Sequence, residues 1–261
     1  MHAVDVREKA GVGTSTFGIG EDYNEGLLGP MAVAGGGQFH HLRSVQDIAA
    51  TFVGELSDLL SVAASQVSLE LRLDPLIHVD VVSAFHVHSQ DDHQHLRIAI
   101  GDLRADDERH VIIRFRFPRT TLRSTFTIQT RLCWRADGSE QTTPWHDVQF
   151  VCADDDACDA ELRDATVMHW VGLHHAERAR KDATDLSRRG DLHGAREIVR
   201  KVRTHIANYA GEDADLRRAI AELDDLDREL QYGPLSSLRR KEMSYHAYRT
   251  SRGQKDFRDL T

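Results

Sequence analysis

The hydrophobic period changes along this chain, and no single layer of secondary structure can satisfy all of it. Thr14–Ile19 is a short, mostly uncharged run, the kind that suits a strand buried on both faces of a parallel sheet. Asp22 or Asn24 can then cap a helix whose Leu27, Leu28 and Met31 lie at helical spacing, although Pro30 should keep it short or bent. Gly35, Gly36 and Gly37 stop it, at least one of them in the left-handed conformation that ends helices, and strand Gln38–Leu42 follows at once. A second helix begins at Ser44-Val45-Gln46-Asp47, where Ser44 can accept from the backbone and Asp47 approximates a capping-box partner. Its Ile48, Phe52, Leu56, Leu59 and Leu60 form a face that should pack on a sheet. Strand, helix, strand, helix makes half of an α/β domain.

Beyond this segment the period drops to two. Phe126, Ile128, Thr130, Leu132 and Trp134 share one face of a predicted half-buried antiparallel strand, with Thr127, Gln129 and Arg131 on the other. Asp137-Gly138 signals a hairpin to Pro144–Cys152, through a loop expected to exceed two residues. Val67–Leu73, Ile77–Val82, His95–Ile100 and His110–Phe117 add four more strands, and about six strands at this spacing indicate a β-sandwich. Six acids between Ala153 and Asp164 then read as a solvated linker entering a helix, since no central glycine or closing glutamate completes a calcium loop.

The third period is helical. A long helix is expected from Asp159 to Arg189, a second capped by Asp191 with Leu192, Ala195, Val199, Val202 and Ile206 on one side, and a third from about Asp213 along Leu216, Ile220, Leu223, Leu226 and Leu230. The expected fold class is therefore α+β multidomain: a partial α/β segment at 1–62, an antiparallel β-sandwich at 63–153, an α-helical unit at 154–232 and a basic tail at 233–261. That tail has seven Lys/Arg, three acids and the aromatics Tyr245, Tyr248 and Phe257. Such a tail can bind RNA or an anionic surface, but the favoured expectation is a short helix against its own acidic domain.

Composition excludes several classes. A net charge of -9 argues against nucleic-acid binding by the protein as a whole, and no apolar run approaches the roughly 20 residues of a membrane helix. With acids and bases intermixed at the start and no apolar leader, the expected location is cytoplasmic. Cys133, Cys152 and Cys158 form neither an even disulfide framework nor a C-x-x-C pair, and read as reduced thiols.

The passage "TSTFGIGEDYNEGLL", followed by "AGGGQFHHL" and "SVQDIAATFVGELSDLLSV", resembles the C-terminal portion of a von Willebrand factor type A domain. It is similar to that part of bacterial proteins that join this Rossmann-like domain to a β-sandwich and a helical tail. "IGDLRADDERHVIIRFRFP" looks like the sandwich's central strands, and "RRKEMSYHAYRTSR" is similar to the usual ending. The resemblance implies a protein-interaction module. It also implies a divalent cation held by a D-x-S-x-S loop with a Thr and an Asp from later loops, hard oxygen ligands that leave a position for a partner carboxylate. No D-x-S-x-S occurs in this sequence, so no metal ligand is carried over. The expectation is a truncated domain lacking its metal-binding half, noncatalytic, with no cofactor. It should bind an unidentified protein partner and self-associate through the incomplete sheet.

Two further chemistries have residues to support them. His86 and His88 alternate on a predicted strand, with His93 and His95 just beyond, so a zinc-dependent hydrolase built on these four is the alternative, although no H-E-x-x-H accompanies them. His40-His41 and His174-His175 are adjacent in sequence and weaker as ligand pairs. The glycines of "GTSTFGIG" and "AGGGQ" lack phosphate-loop spacing and order, and there is no G-x-S-x-G nucleophile elbow.

Overall fold

The structure is a computed structural model, and it describes residues 13–20, 22–42, 44–90, 94–105, 107–136 and 138–251. Its first element, β1 (Thr14–Ile19), pairs in parallel with β2 (Gly36–Leu42), and helix α1 (Glu25–Gly35) connects them. Asn24 occupies the cap position of α1, and the helix runs through Pro30 for only eleven residues. Gly36 ends it with φ 68°, in the left-handed region, donating its N–H to Ala32 and Val33 carbonyls. At Gly37 the constraint is proximity rather than φ, because a Cβ there would lie 2.3 Å from the Thr14 carbonyl oxygen. Gly37→Ala should therefore force β1 and β2 apart and lower stability by about 1–3 kcal/mol, read from the denaturant midpoint.

Helix α2 (Asp47–Leu60) lies on the other face of this small sheet. Asp47 accepts from both the backbone N–H and the hydroxyl of Ser44 at 3.0 Å, so the Ser44 hydroxyl donates to the acid instead of accepting from the backbone. Phe52 stacks on Phe17 at 4.6 Å, and Glu55 accepts from the Ser15 hydroxyl and meets His40 Nε2 at 2.9 Å. The expected packing of the α2 apolar face is only partly realised, since Leu56 stays exposed and Phe52 half-exposed. Two strands are too narrow a platform to cover a helix face of four turns. The side chains of Leu59 and Leu60 lie outside the described set.

The antiparallel part forms two sheets. The larger has the order β10 (His146–Val151), β8 (Thr125–Ala136), β3 (Val62–Arg72), β6 (His95–Arg104), β5 (His86–Gln90), with β9 (Ser139–Thr142) also on β8. The smaller pairs β4 (His78–Val81) with β7 (Ile113–Arg116). Val67, Leu71, Ile98, Ile100 and Ile128 of the large sheet share one core with Ile77, Val79, Ile113 and Phe115, which is the expected sandwich. Three details differ from expectation. Ala136 pairs with Ser139, so only two residues separate β8 from β9; β9 is polar and exposed, which hides it from a hydrophobic pattern. Asp137 itself lies outside the described residues. Leu132 is 39% exposed, whereas Cys133 on the opposite face is buried.

The expected long helix from Asp159 is instead two: α3 (Asp155–Ala160) and α4 (Ala165–Arg188). The first ends at Glu161, whose backbone is extended, and Asp164 starts the second, its carboxylate accepting the Val167 N–H at 2.9 Å. Helices α5 (Leu192–Ala207) and α6 (Ala214–Tyr232) follow as expected, capped by Asp191 and Asp213, with Ala195, Val199, Ile206, Leu216, Leu223, Leu226 and Leu230 buried. The tail becomes α7 (Ser237–Ser251). It contributes Met243 to the helical core and Tyr248 to the core of the small sheet. No described helix is long and apolar enough to cross a membrane.

Candidate interaction surfaces

The small parallel sheet is closed on one face. Phe39 of β2 meets Tyr245 and Tyr248 of α7 edge-on at 5.9 and 6.0 Å, and the Tyr248 hydroxyl donates to the Gly37 carbonyl at 2.8 Å. Beside this contact, the Glu25 carboxylate is buried with three cations around it: Arg188 at 2.6 Å, Arg240 at 3.6 Å and Lys241 at 3.8 Å. Burial would raise the Glu25 pKa, but its own backbone N–H, Arg188 and Lys241 outweigh that and hold it below the usual carboxylate range. Lys241 is itself only 2% exposed, bonded to Ser237 and lying 5.0 Å from the Tyr23 ring. The basic residues at the start of α7 are thus spent on the protein's own acid, as the favoured reading of the tail expects. Phe257 and the rest of 252–261 lie outside the described residues.

The other face and the outer edge are different. Among the described strands β1 pairs only with β2, so its second edge has no ladder partner. Ile19 at its end is 44% exposed, and α2 presents Phe52, Val53 and Leu56 at 48%, 64% and 59%. An unpaired strand edge beside exposed aliphatic and aromatic side chains is the feature of a docking surface.

A third surface is the outer face of the large sheet. Strand register sets His88, Arg97, Glu70 and Arg131 side by side across β5, β6, β3 and β8. Glu70 is buried there and receives Arg131 at 2.7 Å, with His95 Nε2 at 3.6 Å. Burial alone would raise its pKa; Arg131 foremost, then His95 and Arg97, pull it below the usual range. Trp145 lies under Arg72 at 4.1 Å and Arg131 at 4.5 Å. The sequence alone does not display this polar face, because its residues are scattered over four strands and meet only through register.

The histidines of the zinc alternative fall on the same face. His86 and His88 rings meet edge to face at 4.4 Å on β5, His95 starts β6, and His93 lies outside the described residues. Among the described residues His86, His88 and His95 do not converge as a set of three metal-ligand atoms; those of His169, Asp213 and Asp215 do, all within 4.8 Å. That convergence has a structural cause. Asp213 caps α6 with one oxygen, accepting from the Asp215 and Leu216 N–H groups, and meets His169 Nδ1 at 2.7 Å with the other. His40 serves Glu55, His41 meets the Tyr23 hydroxyl at 2.7 Å, and His174 is buried in α4.

No protein-family model matches the sequence, and no curated protein matches it. Solved structures do. A von Willebrand factor type A structure from Catenulispora acidiphila superposes with a TM-score of 0.59 at 15% identity, covering 92% of this chain and 58% of that one. The ArnB paralog VWA2 from Sulfolobus acidocaldarius gives 0.48 at 16% identity over 95% and 59%, and human COPII-coat protein Sec24c gives 0.46 at 13% over 90% and 32%. The chain thus spans less than two thirds of the length of these structures. At such identity the likeness is one of fold, and the first of them suffices to conclude that this chain folds as a von Willebrand factor type A-like α/β segment continued by a β-sandwich and helices.

Proposed function

We propose that the chain is a noncatalytic protein–protein interaction module that docks through the open side of its small parallel sheet, without cation-mediated ligation. The observation that carries this reading is the asymmetry of that sheet. One face is sealed by α1 and α7 with aromatic packing and a buried carboxylate, whereas the α2 side leaves Val53 and Leu56 exposed and Phe52 half-exposed beside an unpaired strand edge. Burying such side chains yields about 1.5–3 kcal/mol each, enough to drive association once the edge also gains backbone hydrogen bonds.

The occupant is a second copy of this chain, and light scattering after size exclusion tests it. The protein should run above its 29.4 kDa chain mass at high concentration, and Val53→Asp/Leu56→Asp should return it to a monomer with an unchanged melting temperature. A monodisperse monomer at every concentration sinks this reading. The noncatalytic part has its own test: stoichiometric zinc in the purified protein, lost on His86→Ala, would replace it with the hydrolase alternative.

A further inference from the structure

The outer face of the large sheet has a use of its own, independent of the α2 surface. Glu70 satisfies Arg131, but it is the one acid in its row. Arg97 makes one hydrogen bond, from Nε to the Ser68 hydroxyl at 3.1 Å, and Arg72 rests on Trp145; both are exposed, and although Arg97 stands opposite Glu70 and helps hold its pKa down, among the described residues neither forms a close ion pair with a carboxylate. The arginines of the helical unit contrast with them, since Arg180, Arg188, Arg196, Arg200 and Arg203 each hold an acid. In a chain with net charge -9, two open guanidinium groups side by side are a local reversal of sign.

Their spacing selects the ligand. Arg97 stands opposite Glu70, and Arg72 is two residues further along β3, opposite His95. Arg72 and Arg97 are therefore diagonal neighbours, roughly 7–8 Å apart. Alternate side chains of an extended peptide repeat at roughly 6.6–6.8 Å, so acids two residues apart can each reach one guanidinium. The planar fork of arginine matches a carboxylate with two parallel hydrogen bonds, and in the same row Arg131 already holds Glu70 through Nε and Nη2, both on Oε2 at 2.7 Å. We propose that this face binds an extended acidic peptide of a partner protein, with an acid-x-acid pattern read by Arg72 and Arg97 against the Trp145 platform. Nucleic acid is the poorer fit, because the patch spans few strands and the protein's overall charge repels a polyanion.

The test is calorimetric titration of the full chain with a capped Glu-Ser-Glu-Thr-Glu peptide at about 50 mM salt, with Trp145 fluorescence as a second readout. Binding should weaken roughly tenfold or more in Arg97→Glu and in Arg72→Glu, stay within about twofold in the remote control Arg119→Glu, and fade by about 300 mM salt. Arg97→Gln, which removes the charge without reversing it, guards against a folding defect and should also weaken binding. No saturable binding at millimolar peptide, or equal binding by wild type and Arg97→Gln, overturns the proposal. Tighter binding of oligothymidylate, lost in Arg97→Glu, also overturns it and makes the face a nucleic-acid surface.

Discussion

Glu25→Ala should cost about 3 kcal/mol of stability and loosen α7, near the lower end for breaking a buried ion pair. The expected damage lies less with Arg188, which is partly in water and has Asp185 at 3.4 Å as a second partner, than with Lys241. Lys241 is almost wholly buried; without Glu25 its ammonium keeps, among the described residues, only the Ser237 hydroxyl and the Tyr23 ring. An uncompensated charge in that position favours release of the helix that carries it. Hydrogen exchange over residues 237–251 should accelerate while α5 and α6 keep their protection, since their core is formed by Val199, Leu223 and their neighbours. Glu25→Gln should fall between, keeping an acceptor but not the charge. A loss below about 1 kcal/mol with α7 exchange unchanged would show that the buried carboxylate is not what holds the tail.

Acid should weaken the protein in a window above the carboxylate range. His174 is buried in α4, and desolvation, foremost, pushes its pKa down from 6.5 to about 4; nearby His110 and His175 are shifted down for the same leading reason. A histidine depressed in the folded state stays neutral there while the unfolded chain takes up its proton. Its stabilisation is complete above pH 6.5 and is lost as pH falls toward the folded value, reaching roughly 3 kcal/mol for His174 near pH 4. His246 has the opposite sign: its hydrogen bond to Glu177 raises its pKa, so its stabilisation is already complete below 6.5 and does not offset the loss. Glu25 and Glu177 have lowered pKa values and lose stabilisation only below their unfolded range. Denaturant midpoints from about pH 6.5 to 5 should therefore decline, and His174→Phe should flatten the slope. The same slope in wild type and variant would remove His174 as its source. Trp170 provides a local probe, because His110 stacks on it at 3.4 Å where the sandwich meets α4.

What the sequence disclosed follows from how local each signal is. β1, α1, the glycine stop and β2 are contiguous, and their caps and breaks are single residues, so they could be placed almost to the residue. Helices α5 and α6 were equally plain, each with an acid cap and an aliphatic stripe. Helix α4 was blurred because its buried face is small or polar: Ala176, Ala179 and Ala183 alternate with Glu177, Arg180 and Thr184. A buried Glu177–Arg180 pair, joined by Glu222 and His246 from other helices, looks like ordinary surface charge in a linear reading. The outer sheet face was hidden for a related reason: the Glu70–Arg131 pair joins residues 61 apart, and only strand order brings them together. The exposure of Val53 and Leu56 was illegible in a third way, since an apolar helix face looks the same whether or not its sheet is wide enough to cover it.

The docking of α7 also fixes an order of events during synthesis. Tyr248 bonds to Gly37 across 211 residues of chain, and Phe39 packs on the same helix. The sandwich and α4–α6 can condense from contiguous stretches as they leave the ribosome, but the small sheet must wait with one aromatic face partly uncovered until the last described helix emerges. Closing so long a loop adds little to the equilibrium cost; its effect is on time. During that interval Phe39, covered by α1 and Tyr23 but not yet by Tyr245 and Tyr248, keeps part of its ring exposed in a nascent chain, and a holdase has its best opportunity there.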